Sequence, residues 1–470
     1  MHTFVERELK LESPADFVMP PLNGEPLERR LFTSTYHDTP SRSLARAGIT
    51  LRRRVENGLS SWQLKLPRED GRAEVSAPGG PAGPPAELRA LLLAHLRHGE
   101  LEEVATLRTR RTGVRVGSSD HPLADVTLDS VDILDGRKAR GGFVELEIEL
   151  VDGDPADLEQ LGRTLRKAGA KRSDGRAKVM RVLKVVDAQP LGAKAPALEQ
   201  VRYLLAAQLR ELERHDPGVR LRDDMEDLHR FRVATRRSRA IIRATRPLLA
   251  DTLTALGEDL KWLAGVLGPA RDLDVLLDRL RAGARTLGPD EPGAELIIAT
   301  LEEERERLHD AVLFALADER YFRLLDTFAA SIASLPDLDA PGGLRPLATA
   351  ELRRLGKAAR KLGDEPSDDE LHTLRIRAKR ARYAAELAEA GHGNKALSRY
   401  LTAVKALQDM IGEHQDAVVA ESKLRGIAHA KTAIAAGRLI ERERERRRER
   451  RSHYPEALAR ALRRGNEALA

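Results

Sequence analysis

Within the first ten residues two carboxylates and an ammonium stand at alternating positions, in Glu6-Arg7-Glu8-Leu9-Lys10. Successive side chains of an extended strand point to opposite faces, so Glu6, Glu8 and Lys10 share one face while Val5, Arg7 and Leu9 take the other. Carboxylate oxygens suit hard Mg²⁺ or Mn²⁺, and a lysine meets a phosphate oxygen that the metal leaves bare. A metal-polyphosphate complex would neutralise such a face from both sides. A solvated strand face would carry the same residues with no ligand at all.

The chemistry recurs further along the chain. Phe143 to Leu150 forms a second alternating row, with Glu145, Glu147 and Glu149 on one face. Basic residues alternate between the two rows. Arg52 and Arg54 precede an Asn57-Gly58 turn, and Gln63 and Lys65 follow it, which is a hairpin pattern with Leu51, Trp62, Leu64 and Leu66 on its apolar side. A strand over Thr106 to Val116 carries Arg108 and Arg110 on one face and Arg111 on the other, and Asp125 to Leu134 is a further strand holding Asp129. The Pro- and Gly-rich stretch from Ser76 to Pro85 reads as a mobile surface loop, and Ala86 to Leu96 as a helix. Alternation does not tell a lumen from an outer surface. His2, His37, His95, His98 and His121 lack the spacing of a catalytic triad and are expected at the surface.

A chain of 470 residues is too long for one typical core, so two domains are expected. The absence of cysteine excludes disulfides, thiolate metal sites and cysteine nucleophiles, and leaves the chemistry to oxygen and nitrogen groups. The net charge of +6 favours acidic partners. No apolar run approaches the length of a membrane span and the N-terminus lacks a signal pattern, so a cytoplasmic protein without membrane partners is expected. Texture changes at 187–196, which reads as a linker; beyond it Leu, Ala, Arg and Glu recur at helical spacing, as at Val201, Leu204, Leu205, Leu209 and Leu212.

This helical half contains an internal repeat. His229-Arg-Phe-Arg-Val-Ala-Thr-Arg-Arg-Ser-Arg239 matches His372-Thr-Leu-Arg-Ile-Arg-Ala-Lys-Arg-Ala-Arg382 at a spacing of 143 residues, and the block around Asp272 matches that around Asp416 at 144. In each first block the cations follow the histidine at i+3, i+7 and i+10 along one helix face. These stripes are His229, Arg232, Arg236 and Arg239, and His372, Arg375, Lys379 and Arg382, with Arg237 and Arg380 adjoining them. The tail from Glu441 to Arg451 interleaves Arg with Glu at pairing distance along a helix, and aromatics are 3% of the chain, so nucleic acid is disfavoured as a partner.

The N-terminal motifs resemble the CYTH, or triphosphate tunnel metalloenzyme, superfamily. The resemblance rests on Glu6-x-Glu8-x-Lys10, Tyr36-x-Asp38-Thr39-Pro40, Leu44, Gly48, Leu51-Arg52-x-Arg54, Lys65, the arginines at 108 and 110, Asp129, Glu145-x-Glu147-x-Glu149 and Lys178-x-x-Arg181, and it covers residues 1–186. It implies an eight-stranded antiparallel barrel whose charged lumen closes around a triphosphate. By matching positions it implies Glu6, Glu8, Glu145, Glu147 and Glu149 as metal ligands, and Lys10, Arg52, Arg54, Lys65, Arg110, Lys178 and Arg181 as substrate ligands. Glu6, Glu8, Lys10 and Asp129 would be the catalytic group, with Asp129 assisting the metal or positioning water. Ala177 stands where the family often has Ser, which removes one hydroxyl contact.

The duplicated basic blocks resemble the CHAD domain, over residues 197–470, and imply an all-α pair of pseudo-symmetric bundles that binds inorganic polyphosphate. The ten residues named above, from His229 to Arg382, would be its ligands, with Asp272 and Asp416 orienting them. The expected activity is metal-dependent hydrolysis of inorganic triphosphate in a multidomain α+β protein, with Mg²⁺ or Mn²⁺ as cofactor. The alternatives are a related enzyme acting on thiamine triphosphate or cyclising ATP, and a non-catalytic polyphosphate-binding scaffold.

Overall fold

A computed structural model describes residues 2–14, 16–68, 71–183, 185, 191, 195–336, 343–392 and 394–469. The chain divides into two compact units, Met1–Ala188 with Asp216–Leu221, and Gln189–His215 with Arg222–Ala470. Most of the linker expected at 187–196 lies outside the described residues.

The first unit is built on β1 (His2–Glu6), β2 (Glu8–Glu12), β3 (Gly24–Pro26), β4 (Arg30–Asp38), β5 (Thr50–Glu56), β6 (Leu59–Arg68), β7 (Gly71–Pro78), β8 (Glu102–Ser118), β9 (His121–Asp135), β10 (Lys138–Leu150) and β11 (Lys171–Arg172). Five short helices accompany them: α1 (Ser43–Arg46), α2 (Ala86–Ala90), α3 (Leu93–Leu96), α4 (Pro155–Lys167) and α5 (Lys178–Leu183). All the strand pairs are antiparallel, in the order β1-β7-β6-β5-β4-β8-β9-β10-β2-β11, with β3 added on β8. This differs from the expected eight-stranded barrel, because the hydrogen-bonded path is open, with β1 at one end. Only Arg7 separates β1 from β2; β1 pairs with β7 and β2 with β10, while the Arg7 carbonyl accepts from Leu150 N at 2.9 Å.

The Asn57-Gly58 turn has φ of 49° and 77°, the left-handed pair that a two-residue hairpin demands, and it joins β5 to β6 with Glu56 opposite Leu59. Two expectations are corrected. Ser76, Ala77 and Pro78 belong to β7 and pair with Gln63, Trp62 and Ser61, since the glycines that break the strand come only afterwards. His95 is buried and shares a 2.7 Å hydrogen bond with Ser43 Oγ, so it is no surface histidine.

The faces of this sheet are inverted relative to an ordinary barrel. Leu51, Trp62, Leu64, Leu66 and Val75 pack outward under Leu44, Leu88, Leu91 and Leu92. Leu11, Val126, Leu146 and Ile148 pack outward with Leu165 of α4. Apolar burial is thus satisfied outside the sheet, which leaves the charged alternate positions to face inward.

The second unit holds α6 (Ala197–Leu221), α7 (Met225–Leu249), α8 (Thr254–Ala284), α9 (Glu291–Ala317), α10 (Glu319–Ala333), α11 (Arg345–Ala359), α12 (Asp368–His392), α13 (Lys395–Ile427) and α14 (Ala433–Leu469). The repeat is structural: α7 and α12 carry the paired His-Arg blocks, α8 and α13 carry Asp272 and Asp416, and α7 packs against α12. The arginines of the tail reach across to α13, Arg444 to Glu421 at 2.9 Å and Arg450 to Glu413 at 2.6 Å, as well as pairing along α14. No helix among the described residues is long and apolar enough to cross a membrane.

Candidate functional site

The inward face of the sheet encloses a cavity of ≈ 220 Å³. β1 and β2 supply Glu6, Glu8 and Lys10 to its wall, β5 supplies Arg52 and Arg54, β6 Gln63 and Lys65, β7 Arg72 and Glu74, β8 Thr109 and Arg111, and β10 Glu147 and Glu149. Lys178 enters from the start of α5, which is seated by Val179 and Met180 in a cluster with Tyr36, Leu107 and Val131. The Tyr36-His37-Asp38-Thr39-Pro40 stretch is divided between site and scaffold. Tyr36 lines the cavity and its hydroxyl accepts from Arg52 at 3.3 Å, while Asp38 accepts the backbone N–H groups of Thr39, Leu44 and Ala45 and so holds the turn that carries α1.

Charges on the wall are paired unevenly. Glu147 accepts from Lys178 and Arg111, each at 2.5 Å, and from Lys10. Burial opposes its ionisation, but Lys10, Lys178 and Arg111 together hold its carboxyl well below the usual range. Lys65 bridges Glu6 at 2.5 Å and Glu74 at 3.0 Å, and Lys10 reaches Glu8 at 3.0 Å. Two groups are incompletely compensated: Glu149 has no ion-pair partner among the described residues, and Arg54 shares Glu56, at 2.9 Å, with Arg30. Burial, with Glu6 next in weight, pushes Glu149 up to about 7. Burial, with Arg52 next, pushes Arg54 down to about 10; its guanidinium lies 3.6 Å over the Phe32 ring. One wall of the cavity holds an excess of carboxylate and another an excess of cations.

Several expected residues stand elsewhere. Arg110 is on the outer face of β8 and pairs with Asp132 at 2.9 Å, whereas Arg111 faces inward, so the register lies one residue from the expected one. Asp129 has no exposure and sits behind the wall, gripped by Arg111 at 2.7 and 2.6 Å and by Lys178 at 3.1 Å; it positions cations and does not face the cavity. Glu145 is equally buried, beside Lys178 at 2.8 Å. Arg181 is held off the lining by Glu12 at 3.0 Å and by the Phe143 ring. Arg72 and Glu74 line the cavity without having been expected there, although Arg72-x-Glu74 alternates like the N-terminal row.

The donor set fits a hard divalent cation by its chemistry. Glu6, Glu8 and Glu149 offer carboxylate oxygens to the cavity, and Glu149 has no ion-pair partner among the described residues. The fit is not pre-formed: no group of three or more metal-ligating side chains is already clustered among the described residues.

In the second unit Arg232, Arg236, Arg375 and Lys379 converge where α7 meets α12. Burial and then Arg375, Arg236 and Arg232 push Lys379 down to about 7. The Nε atoms of Arg236 and Arg375 are buried without hydrogen-bond partners, and Arg232 meets Asp272 at 2.9 Å, the orienting contact expected of that aspartate. His229 Nδ1 accepts from Arg271 Nε at 3.3 Å, and its pKa is lowered by burial; His372 is exposed. Arg239 and Arg380 line a pocket of ≈ 710 Å³, while Arg237 and Arg382 line a separate one of ≈ 430 Å³. Arg271, with Arg243, Arg246 and Lys261 in the larger pocket, extends the basic surface beyond the residues expected.

Comparison with known proteins agrees with this division. A CYTH domain matches residues 5–182 and a CHAD domain residues 203–425. The uncharacterized protein MT2285 of Mycobacterium tuberculosis is 33% identical over 444 residues, covering 86% of this chain and 83% of that protein. Among solved structures, the CHAD domain from the plant Ricinus communis is 30% identical over 60% of this chain and 96% of its own, with a TM-score of 0.48. PptA from Streptomyces chartreusis is 25% identical over 56% of this chain and 99% of its own, with a TM-score of 0.47. The chain therefore belongs to the proteins in which a CYTH domain is followed by a CHAD domain.

Proposed function

We propose that the first unit is a metal-dependent triphosphatase acting on inorganic triphosphate and that the second binds inorganic polyphosphate. The observation that carries the reading is the uneven charge of the cavity: Glu149 lacks a cation, while a few strands away Arg54 is crowded by Arg52, Arg30 and Arg111 and shares Glu56 with Arg30, so one wall calls for a cation and the other for further anion. A magnesium or manganese triphosphate is the simple species that supplies both. Arg54 covers one face of the Phe32 ring in the lining, so a nucleobase stacking there would have to displace that guanidinium.

Glu6, Glu8 and Glu149 would hold the divalent cation, which when bound supplies charge neutralisation and polarises the phosphoryl oxygens. Arg52, Arg54, Lys65, Arg72, Arg111 and Lys178 hold the phosphate oxygens of the substrate from the remaining walls. Asp129 and Glu147 fix Arg111 and Lys178 in place before substrate arrives, so the cations need little reorganisation as charge develops. Water attacks the terminal phosphorus and diphosphate departs with the electron pair of the broken P–O bond; its growing charge meets the fixed cations. Nothing in this scheme requires a covalent nucleophile.

Release of phosphate from inorganic triphosphate, ATP and thiamine triphosphate, each with Mg²⁺, Mn²⁺ or EDTA, tests the reading. Metal-dependent turnover greatest with inorganic triphosphate is expected. Cyclic AMP from ATP would instead mark a cyclase, and silence with all three substrates a non-catalytic binder.

A further inference from the structure

The repeat that places α7 opposite α12 also duplicates a pocket, and the two copies have diverged in charge. The ≈ 710 Å³ pocket is formed by the second half of α7, the start of α8 and the facing side of α12. The ≈ 430 Å³ pocket is formed by the second half of α12, the start of α13 and the facing side of α7. At the repeat spacing of 143 or 144 residues the linings correspond: Arg239 with Arg382, Lys261 with Lys405, and Arg380 in the first pocket with Arg237 in the second.

Four positions that line both pockets from α7 and α12 change chemistry, and two from the flanking helices change in the opposite sense, Glu258 to Thr402 and Glu351 to Gln208. Arg243 and Arg246 are replaced by Glu386 and Glu389, and Ala240 and Ala244 by Tyr383 and Leu387. The larger pocket consequently carries seven cations against two carboxylates, and the smaller three against two.

In the larger pocket Arg246 pairs with Asp251 and Lys261 with Glu258, each at 3.1 Å. Glu386 accepts from Arg382 at 2.8 Å and stands 4.0 Å from Arg237, so it occupies two of the three cations on its side. Arg243 has no carboxylate partner among the described residues, and Arg380 Nε is buried without a partner. Along α7 the cations run through Arg232, Arg236, Arg239, Arg243 and Arg246, a stripe about 21 Å long at 1.5 Å per residue. Along α12 the equivalent stripe is interrupted by acid after Arg382.

Resting on the polyphosphate reading of this unit, we infer that the bound chain lies to one side of the α7–α12 crossing: it runs from the crossing into the Arg243–Arg246 pocket and is stopped on the other side by Glu386 and Glu389. The site is thus an arm closed at one end, and its phosphate contacts stop growing with chain length once the basic pocket is filled.

Equilibrium binding of short- and long-chain polyphosphate to the full-length protein across a salt series tests this. Each phosphate contact steepens the plot of log affinity against log salt by about 0.7–0.9, by analogy with nucleic acids. Glu386→Arg with Glu389→Arg restores the charges of the first repeat, and should steepen the slope for the long chain by about 1–2 while leaving the short chain unchanged. Arg243→Glu with Arg246→Glu should flatten the slope for the long chain by a similar amount. Glu386→Gln with Glu389→Gln adds no bulk, guards against misfolding of the arginine variant, and should give a smaller steepening. An unchanged long-chain slope in the arginine and glutamine variants, or a slope indifferent to the loss of Arg243 and Arg246, overturns the one-sided path. Failure of the unaltered protein to bind polyphosphate at low salt would overturn the polyphosphate reading itself, and is separately visible.

Discussion

Truncating Arg111 and, separately, Arg110 to alanine distinguishes the two faces of β8. Arg111 holds Asp129 through Nε at 2.7 Å and Nη2 at 2.6 Å, and Glu147 through Nη2 at 2.5 Å, and Asp129 has no solvent exposure. Without the guanidinium, Asp129 keeps Lys178 at 3.1 Å as its cation. Breaking a buried ion pair by removing one partner costs about 3–5 kcal/mol, and the surviving lysine places this case near the lower end. For a unit of this size about 3 kcal/mol lowers Tm by roughly 6–12 °C. Arg110 and Asp132 form an exposed pair, with the arginine side chain 55% accessible, worth about 0–1 kcal/mol and no more than a few degrees. In catalysis the contrast should be wider, since loss of one preorganised donor to developing charge costs about 10²–10³ in kcat. Scanning calorimetry of the metal-free protein and phosphate release from inorganic triphosphate read the two effects, and Arg111→Lys, which keeps charge without the fork, should recover part of each. Wild-type kcat and KM in Arg111→Ala, or equal losses in Arg110→Ala, would refute the inward assignment of Arg111.

Glu6→Gln and Glu8→Gln each keep the shape of the side chain and remove one anion from the cavity, so metal-dependent phosphate release should fall to background with an unchanged circular dichroism spectrum; undiminished release in both would sink the metal assignment. Lys379 lies near 7 in the folded protein against 10.5 when unperturbed, so the unfolded chain binds the extra proton between those values, and the stability contributed by this group rises with pH across that window. A bound polyanion draws the pKa back up, and polyphosphate binding at about pH 8 should take up close to one proton. Calorimetry in buffers of different ionisation enthalpy reads that proton, and identical heats in every buffer would contradict it. Replacing Arg232, Arg236, Arg375 and Lys379 together by alanine should abolish most polyphosphate binding and flatten its salt slope by about 3; retention of the slope would leave only a generic basic surface.

The charged rows were legible because the strand period is strict. Glu6, Glu8 and Lys10 needed only alternation to be placed on one face, and they line the cavity together. Arg110 shows the limit of that logic. Alternation separates Arg110 from Arg111 but is silent on which of the two faces turns inward, and here the decision came from the apolar side, where burial is found on the outside of the sheet under α1 to α4. Asp129 and Glu145 satisfy the same alternation and still miss the cavity, because Arg111 and Lys178 fold back over them.

What the amino-acid order determined by itself was the division of the chain, the hairpin at Asn57-Gly58, the charged rows and the duplication of the basic helices, since each of these is local or periodic. Tertiary structure alone decided which carboxylate lacks a cation, which arginines share one carboxylate and in which of the two pockets Glu386 occupies the cations. Those are properties of neighbours brought together from distant strands and helices, as Glu149 is with Glu6 and Glu386 with Arg237, and Coulomb interactions depend on separation in space and on burial, neither of which is written in the order of residues.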